Sequence, residues 1–235
     1  MSSNTISVKK FDIDNFQYEN NEFTNLKIAI IGRGCSGKSW LTRDILQHLK
    51  NIPTGFVINE SDKYEKFYEK FIHADNIVEK LDQSIMNKII EKKENTFLVT
   101  DIDRNIKKDP LIENILHYGR HYGMTSIFSF LSIFDLQPEY RQQFDYIFIF
   151  PDDSYLNRQK IHKNFVGMIN FDIFNSIMDK LNSDNNYSCM VINKCDCSDD
   201  LSKKIFWYKA SEIKNLKKFP KFLNLRKRKF VELEK

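Results

Sequence analysis

The 235-residue sequence has few of the features that mark secreted, membrane-spanning or zinc-stabilised proteins. Its four cysteines, Cys35, Cys189, Cys195 and Cys197, include no C-x-x-C pair and have no matching histidine cluster. Reduced thiols are therefore expected, rather than a disulfide framework or a zinc site. No apolar run approaches the length that crosses a bilayer, and Met1-Ser2-Ser3-Asn4-Thr5 lacks the apolar centre of a signal peptide. An intracellular protein without a membrane partner is the expectation. No internal repeat is evident. The charge excess is also small: a formal +4 is too little to argue for nucleic-acid binding from the total. What remains is 41% hydrophobic and 29% charged, the balance of a soluble globular chain long enough for one substantial core.

The most informative stretch begins with the apolar run Ile28-Ala29-Ile30-Ile31, which reads as a buried parallel strand. It leads into Gly32-Arg33-Gly34-Cys35-Ser36-Gly37-Lys38-Ser39, a full match to G-x-x-x-x-G-K-[ST]. From Trp40 to Leu49 the apolar residues recur at helical spacing. Glycines let a backbone wrap a polyphosphate, and its N–H groups form an anion nest. The following helix adds its free N–H groups and the positive end of its dipole. Lys38 would reach the β- and γ-phosphates and the Ser39 hydroxyl would hold Mg²⁺, so a nucleotide and Mg²⁺ are the expected ligands. The whole run from Gly32 through Ser39, with Trp40 just beyond, is the candidate binding segment.

Further strands are predicted at 56–59, 97–100, 124–130, 146–150, 187–192 and 204–209. Helices are expected around 63–71, 81–93, 110–121, 154–163 and 171–181. This alternation predicts an α/β domain with a parallel sheet covered on both faces. The third strand ends at Asp101, the place of a carboxylate that helps hold Mg²⁺ beside a phosphate loop. Residues 1–25 read as an N-terminal arm, 26–210 as the nucleotide-binding domain and 211–235 as a basic tail. The arm, with Phe11, Phe16, Tyr18 and Phe23, is expected to pack on a neighbouring subunit or to form a loose lead-in. Within 214–229, Phe219 and Phe222 stand among many bases. Such a run suits phosphate-backbone contact, nuclear targeting or a solvated tail.

Three later stretches add a family resemblance. Ile115-Leu116-His117-Tyr118-Gly119-Arg120-His121-Tyr122-Gly123-Met124 is similar to the G-R-H signature of the genome-packaging ATPases of nucleocytoplasmic large DNA viruses, a branch of the FtsK/HerA superfamily. Leu136-Gln137-Pro138-Glu139-Tyr140-Arg141-Gln142-Gln143-Phe144-Asp145-Tyr146 resembles that family's P-x-x-R-x-x-x-D-Y run, and Phe206-Trp207-Tyr208-Lys209-Ala210 its closing strand. The resemblance spans most of residues 26–209. It implies a RecA-like P-loop NTPase, a central, mainly parallel sheet flanked by helices, acting as a homo-oligomeric ring. It also implies ATP and Mg²⁺ as cofactors, double-stranded DNA and capsid or portal-vertex proteins as partners, and the host cytoplasm (viral factory) or the virion as location. An arginine from one subunit would stabilise the γ-phosphate held by the next, with Arg120 and Arg141 as candidates. Each has an ordinary structural role open to it: Arg120 as the cation at a helix C-terminus, Arg141 as a partner of Asp145.

The sequence departs from that family at two points. Ile102 stands where an acid that polarises the attacking water is usual, so Asp103 and Glu60 become the candidates. Leu131 followed by Ser132 stands where a polar sensor, usually Gln, is expected. These departures motivate an alternative, a nucleotide-binding structural or assembly subunit with weak or no hydrolysis. A GTPase reading rests on Asn193-Lys194-Cys195-Asp196, a match to N-K-x-D, but Asp101-Ile102-Asp103-Arg104 lacks the glycine of D-x-x-G. A hairpin turn is the simpler account of that stretch. A small-molecule kinase lacks its lid-like arginine cluster.

Overall fold

The computed structural model describes residues 7–16, 25–49, 51–59, 65–92, 94–102, 109–132, 135, 138–183 and 187–222. Its strands are β1 (Lys9–Lys10), β2 (Lys27–Ile31), β3 (Thr54–Ile58), β4 (Ile77–Val78), β5 (Thr96–Ile102), β6 (Met124–Phe130), β7 (Tyr146–Ile149), β8 (Ser188–Asn193) and β9 (Ile205–Lys209). They form one sheet in the order β1-β9-β8-β7-β2-β6-β5-β3-β4. Strands β7, β2, β6, β5, β3 and β4 run parallel, whereas β8 is antiparallel to both β7 and β9. The expected mainly parallel α/β architecture is present, with a hairpin grafted onto one side.

The sequence explains why β2 lies at the centre. All five of its residues are buried, and the period of two sends Ile28 and Ile30 to one face, Ala29 and Ile31 to the other. On the first face α1 (Lys38–His48) contributes Leu41, Ile45 and Leu46, joined by Phe11, Tyr68, Phe71 and Phe219. On the second face lie α2 (Gln83–Lys92), α3 (Pro110–Tyr118), α4 (Tyr155–Ile161) and α5 (Phe171–Ser183). They bring Met86, Ile89, Ile115, Leu116, Ile161, Phe174 and Met178 against the sheet. Each such side chain contributes roughly 1.5–3 kcal/mol by leaving water.

Several expectations change. Around 63–71, Glu65 is helical and Tyr68–Lys70 form a short 3₁₀ turn, whereas residues 63 and 64 lie outside the described residues. The helix expected to reach residue 121 stops at Tyr118 and tightens into a 3₁₀ turn, Gly119–Tyr122, closed by Gly123 in the left-handed region. Within the N-terminal arm, Phe11 is buried in its own chain, with edge-on ring contacts to Tyr146, Phe148, Phe206 and Tyr208. The start of the basic tail also returns to the core. The Phe219 N–H donates to Phe71 O at 2.8 Å, the Phe222 N–H donates to Asn76 Oδ1 at 2.9 Å, and both rings are buried. Neither ring is therefore available to stack on a nucleic-acid base. Residues 223–229 of the basic run lie outside the described residues. No helix among the described residues is long and apolar enough to cross a membrane.

Candidate nucleotide-binding site

All the parallel strands end on one edge of the sheet, and the glycine loop leaves β2 there. The loop is anchored on both sides: the Gly32 N–H donates to Phe130 O at 3.1 Å, and the Phe150 N–H donates to Ile31 O at 2.8 Å. A Cβ on Gly32 would come within 2.5 Å of Ser36 Oγ and 2.9 Å of Phe150 Cβ, so only glycine fits. Cys35 (φ 58°) and Gly37 (φ 100°) both take the left-handed conformation, which turns successive N–H groups toward a common centre. A Cβ on Gly34 would meet nothing within 4 Å, leaving open space above the loop. Helix α1 starts at Lys38 with no side-chain cap, so its first N–H groups face outward, available to an anion. Arg33 ties the loop to the segment after β7 through Asp153 at 2.7 Å.

Lys38 folds back over this loop, its Nζ donating to Gly32 O and Arg33 O at 2.8 Å each. Burial holds its pKa below the usual lysine range, opposed by Asp101 and the Cys35 thiol. Asp101 lies inside β5 rather than just past its end, opposite Ser129 of β6. Strand β6 runs between β2 and β5, so one intervening strand separates the carboxylate from the loop. Burial pushes Asp101 above the ordinary carboxylate range; the Ser129 hydroxyl and the Lys38 ammonium pull the other way, and Glu65 adds to the rise. Asn59, at the end of β3, donates from Nδ2 to Asp101 Oδ2 at 2.8 Å and fixes its orientation. Lys38 and Asp101, predicted from separate motifs, thus come together.

This donor set suits a magnesium ion. One oriented carboxylate and one serine hydroxyl, Asp101 and Ser39, are the few protein ligands that Mg²⁺ takes when phosphates and water supply the rest. Among the described residues no group of three or more His, Cys, Asp or Glu could hold a metal by itself. Beside the loop opens a cleft of about 650 Å³, within the range of small-molecule sites. Residues 35–40 form its floor, and Glu65, Phe67, Tyr187 and the segment 209–212 form its walls. Sequence reading missed those walls, together with Asn59 and Ser129. Only Asn59 carried a signal, as the polar residue closing an apolar run.

The other candidates are elsewhere. Arg120 and Arg141 both lie at the opposite edge of the sheet, before β6 and β7. Arg120 is paired with Asp145, and Arg141 donates to Asn164 Oδ1 at 2.7 Å. The local pairing of Arg141 with Asp145 is replaced by these two contacts. Glu60 and Asp103 lie outside the described residues. Leu131 is exposed just past β6, and the Ser132 N–H donates to Asp135 Oδ2 at 2.9 Å. The N-K-x-D stretch closes the β8–β9 hairpin at that same far edge, where Asn193 pairs with Tyr146. Asn193 Nδ2 there donates to Lys203 O at 3.1 Å, and Asp196 Oδ1 accepts from the Ser198 N–H at 2.8 Å. It cannot read a base held at the glycine loop.

No family model matches the chain. An uncharacterized protein of Acanthamoeba polyphaga mimivirus is 29% identical over 240 residues, covering 91% of this chain and 81% of its own length. Another, from Invertebrate iridescent virus 3, is 28% identical over 227 residues, covering 88% and 85%. Among solved structures, the genome packaging NTPase B204 from Sulfolobus turreted icosahedral virus 2, in complex with AMPPCP, superposes with a TM-score of 0.58 at 19% identity. That match covers 81% of this chain and 100% of the other. The crystal structure of B204, the DNA-packaging ATPase from Sulfolobus turreted icosahedral virus, gives 0.55 at 21% identity, covering 80% and 98%. The chain thus has the P-loop NTPase fold of viral genome-packaging NTPases, and its sequence relatives are proteins of large DNA viruses.

Proposed function

We propose that the chain is an ATPase subunit of a homo-oligomeric ring that drives double-stranded DNA into a viral capsid. The observation that carries this reading is the convergence of Lys38 and Asp101 across β6, beside an anion nest and an open cleft. The loop N–H groups and Lys38 would hold the phosphates, and Ser39 and Asp101 would hold Mg²⁺. When bound, the ion neutralises phosphate charge and polarises the bond that breaks. Asn59 keeps the carboxylate aimed at that position. The acid that polarises water is assigned to the group Glu60, Asp103 and Glu65. Single amide variants that retain binding and lose turnover would identify it.

Arg120 suits a role in trans. Its side chain is half exposed at the far edge and braced by Asp145, so a neighbour's loop edge stacked against it would receive a positioned cation. Mixing Lys38→Ala and Arg120→Ala subunits tests this, because sites pairing an intact loop with an intact arginine would recover turnover. Capsid or portal-vertex proteins, and a place in the viral factory or virion, follow from the same reading. The decisive experiment is ATP turnover with and without duplex DNA. Stimulation by DNA that disappears in Lys38→Ala and Asp101→Ala supports the motor.

A second reading, tight nucleotide binding without turnover, is favoured by the exposed Leu131 and by the engagement of Ser132 with Asp135. Absence of turnover in the presence of DNA would select it.

A further inference from the structure

Aromatic side chains line the cleft beside the phosphate loop. Trp40 follows Ser39 on α1 and is 50% exposed, lining the cleft. Arg43 supports its ring: the guanidinium carbon lies 3.9 Å from the indole centroid. Phe67 lies at 6.2 Å, centroid to centroid. Arg43 is itself buried, and its Nε has no hydrogen-bond partner. Its cation is thus directed at the ring, which it holds in place from one side.

The second ring belongs to Tyr187, the residue before β8, which the antiparallel direction of β8 carries to the loop edge. Tyr187 lies against the phosphate loop, close enough that a Cβ on Gly37 would sit 3.3 Å from its Cδ1. Its backbone is in the left-handed region (φ 54°), which bulky residues rarely occupy, yet its side chain is 67% exposed. A strained backbone that displays an aromatic ring to solvent gains nothing for folding; such strain collects at ligand clamps.

Resting on the nucleotide reading above, we propose that Trp40 and Tyr187 form the base subsite, where the heteroaromatic ring of a nucleoside triphosphate stacks while its phosphates lie in the loop. Stacking reads the face that all bases share. The site therefore accepts adenine and guanine alike and binds a triphosphate lacking a base more weakly.

Calorimetry on the full chain with Mg-ATP, Mg-GTP and inorganic tripolyphosphate tests this. Indole fluorescence in a Trp207→Phe background, where Trp40 is the remaining tryptophan, gives a second readout. Both nucleotides are expected to bind within about fivefold of each other and to quench Trp40, and tripolyphosphate to bind without quenching. Trp40→Ala and Tyr187→Gly, the latter keeping the positive φ accessible, should weaken ATP roughly 5- to 100-fold and leave tripolyphosphate unchanged. Equal losses for both ligands, no loss for either, or a preference above about tenfold for one purine would overturn the base subsite. Wild-type protein that binds tripolyphosphate as tightly as ATP removes the subsite and leaves the phosphate loop standing. Binding of neither removes both.

Discussion

The two edges of the sheet are equally rich in residues that look functional, yet they are built on opposite principles. At the edge where the parallel strands begin, Asp145 accepts from the Lys27 N–H at 2.8 Å and from Arg120, and its own N–H donates to Lys27 O. The Lys194 N–H donates to Asp145 O at 2.8 Å, so β2, β7 and the β8–β9 hairpin meet on one aspartate. At the edge where the strands end, the loop takes two left-handed residues, Ser36 Oγ is buried without a partner, and α1 starts uncapped. Groups that complete one another hold a fold, whereas groups left incomplete are the ones a ligand can satisfy. Strand direction decides which edge does which, as in open α/β sheets generally.

The largest expected effect is at Asp101. Asp101→Asn keeps the shape and an acceptor for Asn59 and removes the charge proposed to hold Mg²⁺. Turnover should fall about 100- to 1000-fold. The same change should stabilise the nucleotide-free protein. Because burial raises the folded pKa above the ordinary 3.8, this group's favourable contribution is fully present below 3.8 and is lost as pH rises through the raised value. At neutral pH the variant should therefore melt higher, with the gap closing as pH falls toward 3.8. A lower melting temperature at pH 7 would show that Asp101 belongs to the self-completing class after all. Lys38→Ala should weaken triphosphate binding roughly 10- to 100-fold by calorimetry, since a charge-assisted contact is lost.

Within a single subunit the far edge should affect stability and not nucleotide affinity. Asp145→Asn loses the ion pair to Arg120, which is half exposed, and keeps an acceptor for the Lys27 N–H. A cost of about 1 kcal/mol follows, or a fall of roughly 2–4 °C in melting temperature. Nucleotide affinity measured well below the transition should stay the same. A large loss of affinity would mean that the two edges are coupled.

What could be read from the sequence divides along physical lines. The phosphate loop was legible because its strand, glycines and helix are consecutive, and Asp101 because an apolar run points to it. Tyr187 was not, because only the reversed direction of β8 brings it to the cleft that Trp40 also lines. Strands β1 and β4 contain two residues each, too few for any alternation to register. Phe219 and Phe222 looked like part of a basic tail because composition records the lysines around them and not the backbone pairing with Phe71 and Asn76. Asp145 was given Arg141 as its partner on nearness in sequence. That spacing brings side chains together on a helix, whereas here a 3₁₀ turn, Pro138–Tyr140, leads through a bend into β7.

The smallest expected effect is the sharpest test of the comparison. Asn193 and Asp196 match a guanine-reading motif letter for letter, and their chemistry alone would make them selective. Their position denies it: the register pairs Asn193 with Tyr146, the first residue of β7, whereas the phosphate loop follows the last residue of β2. Both side chains also have local work, Asn193 on Lys203 O and Asp196 on the Ser198 N–H. The double variant Asn193→Ala with Asp196→Ala should lose a few tenths to about 1 kcal/mol of stability as the turn loosens. Its ratio of ATP to GTP affinity should stay within about twofold of wild type, because local turn bonds do not reach across a sheet. A shift of fivefold or more would place the base at the edge where the strands begin and invert the assignment of the two edges.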